Sequence, residues 1–510
     1  MKSKTNMELK GEKKIVDNFT IFDMLYDDYK INKSIRLIEC FAGYGSQALA
    51  LKYLGVNFEH WKICEWATKS IQAYKDAHFT NDNTDYSKGL SKEQVIDYLF
   101  NKGVSMNYNE PMTLEQIQRK GEEWQRITYN NIIATHNLVN ISQVKGKDLE
   151  IVDTDKYDYI LTYSFPCQDL SLAGKRAGME KDSGTRSGLL WEVERILDEC
   201  NSLGNLPKIL LMENVPEVVG TNNIEHFKKW RYKLEQLGYS NYDEILNAKD
   251  YGIPQNRRRC FMISILGDYN YTFPKREKLK LKLKDMLEEE VDEKYYLSDK
   301  IIDFFYKNSK KNEEVGNGFR FKPINHEEAT IAKTITTRAG GRMDDNFIVE
   351  NVCHKALKET LEKNDLKEFG FIDSYNRDIR KDNLSGTITT RVSASNNTFI
   401  CVPEATKKGY AEAHEGDSVN LEQPNSKTRR GRVGKEIAQT LLTGCQQGVV
   451  VKVEDLRIRK LTPKECFRLM GVKDEDYENI AKNQSDASLY HLAGDSIVVN
   501  VLMAIFKQLL

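Results

Sequence analysis

A thiol, a carboxyl group and a pair of guanidinium groups stand next to three separate apolar segments of this sequence. They belong to Cys167, to Glu213, and to Arg257 and Arg259. In an open parallel α/β sheet, ligands bind outside the carboxyl ends of the strands, so Cys167 and Glu213 would face one crevice. A nucleophile, an acid and two cations in one crevice would form a catalytic site.

Each of these residues also has an ordinary structural explanation. A single cysteine is most often a small buried apolar residue, a single glutamate a surface or capping group, and an arginine run a solvated turn. Cys167, however, follows a proline at the end of an apolar segment and precedes the polar, glycine-bearing stretch 168–188, which could close over a site. This position favours a nucleophile.

Their places in the sequence also predict an acid at Glu213 and a pair of cations at Arg257 and Arg259. Four apolar residues, 209–212, precede Glu213, which predicts a pocket carboxyl group with a raised pKa, able to donate or share a proton. Alternate residues of a strand point to the same side, so Arg257 and Arg259 would act together. Two such cations would lower the pKa of a nearby thiol and bind a phosphate group.

The segments that position these residues alternate between strand and helix patterns. The first is a strand, a glycine turn and a helix at 36–54, which is how a βαβ unit begins. The polar stretch 76–135 reads as a helical insertion. Together the patterns predict an α/β catalytic domain at 34–274. Its later strands are predicted at 61–64, up to about 140–141, at 157–165, at 209–212 and at 260–266.

The turn after the first strand has features of a nucleotide-binding loop. Gly43 and Gly45 allow the backbone to approach a ligand closely. Glu65 follows at the end of the second strand, where a carboxylate binds ribose hydroxyls. Without a third glycine the motif is also common in tight turns of other kinds, so taken alone it leaves a nucleoside cofactor and a plain turn both open.

Length and composition exclude several classes of protein. A chain of 510 residues is long enough for two or three domains with their own cores. Nine cysteines without a C-x-x-C pair, and no leader pattern at the N-terminus, predict a reducing cytoplasm. No apolar run approaches the roughly 18 residues of a membrane span. The net charge of -1 neither requires nor excludes a nucleic-acid partner.

The regions on either side of the catalytic domain differ in composition. Residues 1–33 are polar and lysine-rich and predict a solvated arm that runs into a short helix near 21–29. The stretch 275–293 alternates lysine and leucine before an acidic run, which is typical of a linker and a solvated amphipathic helix. The last segment, 456–510, contains a threonine cap followed by proline and predicts helices that return to the catalytic domain.

An internal repeat lies in the intervening region, 275–455. The sequence Thr-Ile-Thr-Thr-Arg at 334–338 recurs at 387–391, and a weaker copy occurs at 440–443. Repeated strand-loop-strand units, and hence a smaller β-rich domain, are therefore predicted. The copies lead into β-rich segments at 347–349, 399–402 and 449–451.

Seven short motifs occur in the order found in one enzyme family. On these motifs the chain resembles the bacterial and phage cytosine-C5 DNA methyltransferases. The resemblance implies a Rossmann-like S-adenosylmethionine-dependent methyltransferase sheet with a smaller, β-rich target-recognition domain at 275–455. The motifs are 41–45, 65–66, 165–168, 213–215, 255–259, 459–462 and 494–496.

The resemblance implies S-adenosylmethionine as cofactor, and no metal ion is expected. Glu65 would bind the ribose and Trp66 would lie against the adenine ring. Asn140 stands where the family usually has aspartate. Asp495 stands where the family more often has asparagine, and it could either weaken binding of the cofactor carboxylate or contact the ammonium group. The implied cofactor residues are Phe41, Gly43, Tyr44, Gly45, Glu65, Trp66, Asn140, Ile141, Phe165, Leu189, Asp495 and Ser496.

The groups present also define a mechanism. Cytosine C5 is a poor nucleophile, so the Cys167 thiolate would first add to C6. Glu213 would hold N3 and the exocyclic amine, Arg259 the base oxygen, and Arg257 the thiolate or a nearby phosphate. Because a stacked base is out of reach, the cytosine must be flipped out of the duplex.

Double-stranded DNA is the expected partner, and the repeats are the expected readers of its sequence. Arginine can bind guanine through two hydrogen bonds, and a basic run suits the phosphate backbone. A repeated β-structure in which threonine merely has good strand propensity would also explain the pattern. The candidate DNA-contacting residues are Gln168, Ser171, Arg338, Arg391, Arg429 and Arg430.

Other functions are compatible with parts of the pattern. A tRNA cytosine methyltransferase would share the catalytic fold, but the long repeat region favours a reader of duplex DNA. A catalytically silent DNA-binding regulator would not need Cys167 and Glu213, and a nucleotide-dependent dehydrogenase would share only the glycine turn. The chain is expected to be a cytoplasmic monomer that serves restriction-modification or acts as a phage or orphan enzyme, with a cognate restriction endonuclease as a further candidate partner.

Overall fold

The apolar segments of the sequence form neighbouring strands of one sheet. The computed structural model describes residues 26–166, 186–325, 330–351 and 456–510, together with short strands between 371 and 449. The strands up to residue 266 are β1 (Ser34–Cys40), β2 (Phe58–Cys64), β3 (Tyr157–Tyr163), β4 (Ile209–Asn214), β5 (Tyr239–Asn247), β6 (Gln255–Asn256) and β7 (Arg258–Leu266).

Six of these strands form a mixed sheet in the order β2-β1-β3-β4-β7-β5. Strands β1 to β4 are parallel, and β7 runs antiparallel to both of its neighbours. Every residue of β4 is buried, and so is every residue of β1 after Ser34. Continuous burial is expected of parallel strands that helices cover on both faces. The predicted α/β, Rossmann-like fold is therefore confirmed.

Helices supply the apolar layers that cover the sheet. Trp230 is fully buried in a core cluster that also contains Leu197 and Leu234, and its indole N–H donates to the Tyr163 hydroxyl at 3.1 Å. The helices of this part of the chain are α1 (Ser46–Tyr53), α2 (Thr68–His78), α3 (Lys92–Lys102), α4 (Leu114–Gln118), α5 (Glu122–Ala134), α6 (Leu190–Ser202) and α7 (Ile224–Gln236).

The predicted insertion, 76–135, contains α3, α4 and α5 around a small core of its own. Val95, Leu99 and Ile132 are buried in that core, and Trp66 packs against its edge. Both α3 and α4 begin with a capping box in which a serine or threonine and a glutamine exchange hydrogen bonds with the backbone. Such caps supply acceptors for N–H groups that the first helical turn leaves unpaired.

Two details of the predicted secondary structure are wrong. The segment near 140–141 is not a strand: Asn137 makes a single bridge to Ile63, and the Asn140 side chain accepts the Ser142 N–H in a turn. The edge strand β5 was not predicted, because its sequence has no continuous apolar run. Most of its residues are only partly buried.

The described part of the N-terminal region, from Tyr26 to residue 33, is not helical. It makes one bridge between Asp28 and Asn270, and the Tyr29 hydroxyl donates to Asp158 at 2.6 Å. The rest of the predicted helix near 21–29 lies outside the described residues.

Four helices close the chain, beginning at Pro463 as predicted. The apolar stretch Asp486–Leu509 has the length and hydropathy of a membrane span, but 72% of its apolar window is buried within the protein. It comprises two helices separated at Ser496, and the second packs against α1. Core helices of a folded domain have this character. The four are α9 (Pro463–Leu469), α10 (Asp474–Ala481), α11 (Asp486–Asp495) and α12 (Val499–Leu509).

The chain divides into two compact units. The first comprises Met1–Met286, Ile331–Arg338 and Pro463–Leu510, and the second comprises Leu287–Thr330 and Ala339–Thr462. The first unit therefore takes in the segment 331–338, which the sequence pattern grouped with the repeats.

In its described residues, the second unit contains one α-helix and a series of short strands. Phe305, Phe321 and Phe347 form its aromatic core. The Arg459 guanidinium is fully buried and donates to Glu350 at 2.6 Å across a strand pair. The amphipathic helix expected within 275–293 starts later, as α8 (Asp299–Glu314). The remaining strands of the chain are β8 (Ile324–Asn325), β9 (Ala332–Lys333), β10 (Phe347–Asn351), β11 (Phe371–Asp373), β12 (Asp378–Arg380), β13 (Cys401–Pro403), β14 (Tyr410–Glu412), β15 (Ser418–Asn420), β16 (Val433–Gly434), β17 (Gln447–Val449) and β18 (Leu456–Lys460).

These strands agree with the predicted β-rich character of the region. Strands β10, β13 and β17 lie at the three segments that follow the repeat copies. The first copy, 334–338, belongs to the first unit, and the copies at 387–391 and 440–443 lie outside the described residues.

Candidate active site

A cavity of about 450 Å³ opens at the carboxyl ends of the four parallel strands. Phe41 follows β1, Glu65 follows β2, Phe165 follows β3, and Glu213 is near the end of β4. The position is the one that the sequence argument expected for a ligand in a parallel sheet. The predicted site residues that line it are Phe41, Gly43, Glu65, Trp66, Asn140, Ile141, Phe165, Leu189, Glu213, Arg257, Arg259, Asp495 and Ser496.

Several predicted site residues are not part of this lining. Tyr44 and Gly45 belong to the glycine turn but do not line the cavity, and Arg338 is an exposed residue elsewhere in the first unit. The others fall outside the residues that the structure describes: Cys167, Gln168, Ser171, Arg391, Arg429 and Arg430.

The glycine turn serves the ligand at one position and packing at another. Gly43 has φ 56°, and a β carbon there would meet nothing closer than the Ser496 hydroxyl at 3.9 Å. Its backbone therefore faces open space in the cavity. At Gly45 (φ 81°) a β carbon would collide with the rings of His78 and Tyr74. Gly45 is thus required for the close approach of α2, which differs from its expected role at the cofactor.

Tyr44 also differs from its expected role. Its side chain is fully buried, with the ring centroid 5.2 Å from that of Phe467, and it does not reach the cavity surface. Its carbonyl oxygen is bonded to the His78 ring at 2.9 Å. Tyr44 therefore anchors the glycine turn to the protein core through its buried ring and its carbonyl oxygen.

The Glu65 carboxylate is held by two backbone N–H groups, one from the glycine turn and one from the start of α2. Its carboxylate accepts the N–H of Gly43 at 3.0 Å and that of Ala67 at 2.8 Å. Burial raises the pKa of Glu65 to about 7, although these two N–H groups act in the opposite direction. A carboxyl group fixed in this way next to the glycine turn suits a ribose hydroxyl.

Asn137 supports Glu65 and was missed by the sequence argument. Its side-chain amide donates to the Glu65 carbonyl at 2.8 Å and accepts the Glu65 N–H at 3.1 Å. The amide thus pairs with the main chain as a neighbouring strand would. The segment around 137 resembled a strand in sequence; it makes one isolated bridge to Ile63, and the Asn137 side chain adds its two hydrogen bonds beside that bridge.

Glu213 and Arg259 form a buried ion pair at the other end of the cavity. The Arg259 Nε atom lies 3.1 Å from a carboxylate oxygen of Glu213. Burial raises the pKa of Glu213, and the charges of Arg259 and Arg257 only partly offset this effect. A carboxyl group with a raised pKa can hold and donate a proton to a ring nitrogen, as predicted from its position after β4.

Asn214, next to Glu213, fixes the ends of two strands to each other. Its side-chain amide donates to the Phe165 carbonyl at 2.9 Å and its oxygen accepts the Val215 N–H at 2.9 Å. The loop that leads to Pro166 is therefore tied to the strand that carries Glu213. Its place within the motif at 213–215 was the only sequence signal for this role.

Arg257 has an environment different from the expected one. Its guanidinium donates to the carbonyl oxygens of Ile335 at 2.9 Å, Gly494 at 2.9 Å and Ser496 at 2.7 Å. The side chain is 3% exposed. Arg257 therefore holds backbone segments of the cavity wall in place, and steadying a thiolate or a phosphate is no longer its best-supported role.

The insertion supplies a wall of the cavity that the sequence did not indicate. Tyr108 lines the cavity with Asn109 and Pro111, and its ring stacks on His491 with centroids 4.1 Å apart and an interplanar angle of 13°. His491 Nδ1 in turn lies 3.2 Å from a carboxylate oxygen of Asp495. No residue pattern within 76–135 pointed to this contact, because it exists only after the C-terminal helices fold back.

The lining of the cavity fits a nucleoside that carries a charged amino-acid group. Phe41, Trp66, Ile141 and Leu189 provide apolar and aromatic walls, and the carboxylate of Glu65 provides a hydroxyl acceptor. Open space at Gly43 lets a ligand approach the backbone of the turn closely.

If Glu65 binds the cofactor ribose, replacing it by alanine should weaken S-adenosylmethionine binding by about 1 to 3 kcal/mol, the usual effect of removing a partner from a buried polar contact. Isothermal titration calorimetry measures this change directly. Glu59→Ala is a matched control, since Glu59 lies on β2, the strand that leads to Glu65, but pairs with Arg36 at 2.9 Å and is outside the cavity. Equal cofactor affinities for Glu65→Ala and wild type would refute the assignment.

Comparison with known proteins identifies the family of the chain. The family model of C-5 cytosine-specific DNA methylases matches residues 116–510. The chain is 31% identical over 479 residues to the type II methyltransferase M2.ScrFI of Lactococcus lactis subsp. cremoris, covering 93% of this chain and 99% of that protein. It is 40% identical over 270 residues to the orphan methyltransferase M.SssI of Spiroplasma monobiae, covering 52% of this chain and 68% of that protein.

A solved structure shares the fold. The methyltransferase EhMeth of Entamoeba histolytica superposes with a TM-score of 0.50 at 14% identity, covering 94% of this chain and 98% of that chain. Sheet, cavity and relatives together define a methyltransferase. The chain belongs to the family of C-5 cytosine-specific DNA methylases. It is an S-adenosylmethionine-dependent enzyme that methylates C5 of cytosine in DNA.

Proposed function

We propose that this enzyme methylates a flipped cytosine within a specific sequence of duplex DNA, with Cys167 as nucleophile and Glu213 as the acid that activates the base. The observation that carries the proposal is that one cavity contains the Glu65 carboxyl group at one end and the Glu213–Arg259 pair at the other. A nucleoside cofactor and a target base would therefore meet in that cavity.

The target-base end combines acid and cation in the way that the chemistry requires. Protonated Glu213 would donate to N3 and so draw electrons from the ring as the Cys167 sulfur bonds to C6. Arg259, paired with Glu213, would neutralise charge on the base oxygen. Pro166, which precedes Cys167 in the sequence, lines the same cavity.

The remaining steps restore the aromatic ring. S-adenosylmethionine, when bound, supplies the electrophilic methyl group. Once C5 carries the methyl group, the C5 proton leaves to solvent and the C5–C6 double bond re-forms as the bond between C6 and the Cys167 sulfur breaks. The Glu213 carboxylate takes back the N3 proton, which restores a neutral cytosine ring.

The direct test is methyl incorporation from labelled S-adenosylmethionine into duplex DNA and into tRNA, followed by bisulfite mapping of the modified cytosines. We expect label in DNA, concentrated at one recognition sequence. Label found in tRNA alone, or methylated cytosines without a shared sequence context, would overturn the proposal.

We further propose that the repeat-bearing region reads the DNA sequence through arginine side chains. Arg338 is exposed at the end of the first repeat copy. Two hydrogen bonds tie the start of that copy to β6: the Thr334 hydroxyl donates to the Asn256 carbonyl at 2.7 Å, and the Ile335 N–H donates to the Gln255 side chain at 3.0 Å. A fixed backbone removes one source of entropy loss on binding, and the planar guanidinium loses less side-chain freedom per hydrogen bond than a lysine would.

Arg338→Ala should weaken or relax methylation at the preferred site by roughly 1 to 3 kcal/mol per base contact, with cofactor binding unchanged, and Arg391→Ala should act similarly. Bisulfite maps combined with competition between DNA sites measure the effect. The control is Arg276→Ala, which removes an exposed positive charge outside the cavity. If the Arg338 and Arg391 variants keep the wild-type site preference, those arginines do not read bases.

The cysteines bear on the setting in which the enzyme works. Five described cysteines are free and buried, which suits a reducing cytoplasm. We propose a monomer that protects DNA either beside a cognate restriction endonuclease or as a phage or orphan enzyme. Light scattering at working concentration tests the first point, and a search for cleavage activity against unmethylated sites in the source cell tests the second.

A further inference from the structure

The loop at 105–111 of the insertion reaches the rim of the active-site cavity. Tyr108, in the middle of this loop, lines the cavity together with Asn109 and Pro111. Its ring stacks on the His491 ring, which also lines the cavity, with centroids 4.1 Å apart. Both side chains are partly exposed to solvent as well. The stacked pair therefore borders both the cavity and the solvent, which places it at the cavity rim.

Hydrogen bonds hold this loop beside Trp66, the residue that follows the proposed ribose-binding carboxylate. The Ser105 N–H donates to the Trp66 carbonyl at 2.8 Å, and the Ser105 carbonyl accepts the Thr68 N–H at 2.8 Å. Further along the loop, the hydroxyl groups of Tyr108 and Ser70 share a hydrogen bond at 3.3 Å, and Ser70 lines the cavity too. Tyr108 is thus fixed at the end of the cavity proposed for the nucleoside part of the cofactor.

Tyr108 is held in a backbone conformation that a bulky residue rarely adopts. Its φ is 60°, in the left-handed region that favours glycine. The Asn107 side-chain oxygen accepts the N–H groups of Asn109 at 3.0 Å and Glu110 at 3.2 Å. The Ser105 hydroxyl donates to the Glu110 carbonyl at 2.7 Å. Strained residues that their surroundings fix in this way cluster at active sites and ligand clamps.

We propose that Tyr108, stacked on His491, retains the cofactor: the pair closes part of the cavity rim and slows cofactor exchange. The inference rests on the proposed function, which puts S-adenosylmethionine in this cavity. The stack joins the insertion to α11, so a cofactor leaves through this part of the rim only after the two rings separate. The attraction between the rings then adds to the barrier for dissociation. The insertion thereby contributes to catalysis by holding the methyl donor.

Retention has a use in a reaction that waits for a flipped base. The cytosine must leave the duplex before methyl transfer, and loss of the cofactor in that interval would leave a complex without a methyl donor. The role of Tyr108 concerns binding and release and not the chemical step, because the Glu213–Arg259 pair lies at the other end of the cavity. The Michaelis constant for the cofactor should therefore depend on Tyr108, and the rate at saturating cofactor should not.

The test is the dissociation rate of labelled S-adenosylmethionine, chased by an excess of unlabelled cofactor, together with single-turnover methylation of duplex DNA. Tyr108→Ala should raise the dissociation rate and the Michaelis constant for the cofactor about three- to tenfold, the scale of one lost aromatic contact. Its single-turnover rate at saturating cofactor should stay within about twofold of wild type. Tyr108→Phe keeps the stacked ring and should restore dissociation to within about twofold of wild type.

Tyr98→Ala is the matched control for folding of the insertion. Tyr98 lies on α3 and packs its ring against Tyr129, with centroids 4.7 Å apart, but it is outside the cavity. The Tyr98 variant should release the cofactor at the wild-type rate. Equal acceleration by Tyr98→Ala and Tyr108→Ala would assign the effect to the stability of the insertion and would overturn the inference.

The stacked pair should also act as a unit. Combining Tyr108→Ala with His491→Ala should release the cofactor about as fast as the faster single variant, because either change alone opens the stack. Fully additive effects would show two independent contacts and would contradict a closed rim. Unchanged dissociation in Tyr108→Ala, or a slower single turnover with an unchanged Michaelis constant, would refute retention while the proposed cofactor site stands. Failure of wild type to bind S-adenosylmethionine would overturn that site and this inference together, so the two failures are distinguishable.

Discussion

Cys167→Ser should abolish methyl transfer, with a loss of turnover of at least about 10⁴-fold, the scale observed when a catalytic nucleophile is removed. A serine hydroxyl is far less nucleophilic than a thiolate, so addition to C6 would fail. S-adenosylmethionine binding should be nearly unchanged, because the proposed cofactor contacts come from β1, β2 and the C-terminal helices. Single-turnover methylation and calorimetry measure the two quantities separately.

Covalent trapping provides a second measurement of the same step. A duplex that contains 5-fluorocytosine should form a stable covalent complex with wild type, since the C5 fluorine cannot leave as a proton does. The Cys167→Ser protein should form none. Cys200→Ser is a suitable control, because burial raises the pKa of the Cys200 thiol to about 12 and that thiol bonds to the Gly146 carbonyl, away from the cavity. Substantial turnover by Cys167→Ser would refute the nucleophile.

The second large effect is expected at Glu213. Glu213→Gln should reduce turnover by about 10² to 10⁴-fold, since an amide cannot supply the N3 proton that general acid catalysis requires. Glu217→Gln, a few residues further along and outside the cavity, is the matched control. Near-normal rates for Glu213→Gln in single turnover would show that another group activates the base.

The pH dependence of wild type should carry the same information. Burial raises the pKa of Glu213, so the protonated form persists above the ordinary range of a carboxyl group and is lost as pH rises. The Cys167 thiolate, in contrast, forms as pH rises, so the supply of nucleophile increases while the supply of protonated Glu213 falls. The rate of methyl transfer should therefore pass through a maximum, and the fall on the alkaline side should be absent in Glu213→Gln.

Much of the fold followed from local patterns. Short continuous apolar runs such as 157–165 and 209–212 are typical of buried strands. The glycine turn between the first strand and the first helix is typical of a βα connection. The edge strand β5 escaped prediction because its residues are only partly buried and its sequence shows no apolar run. Local hydrophobicity reports burial, and an edge strand has little of it.

The sequence by itself determined the chemistry at the carboxyl ends of the strands. Residue type and the end of an apolar run were enough to indicate Glu65 and Glu213, because side chains that follow parallel strands meet at one edge of a sheet. Those two residues and Arg259 line one cavity as their positions implied. Each of these residues lies at the end of a single strand, so its place at this edge follows from local sequence, although Asn137 completes the surroundings of Glu65.

Only the tertiary structure decided the roles that depend on two distant segments meeting. Arg257 was indistinguishable from Arg259 in sequence, yet its guanidinium is bound to carbonyl groups of the segments around 335 and 495. Tyr108 gained its place in the cavity wall by stacking on His491, nearly four hundred residues away in the chain. Such contacts have no local periodicity or spacing, because they arise from packing between elements whose relative positions the whole fold sets.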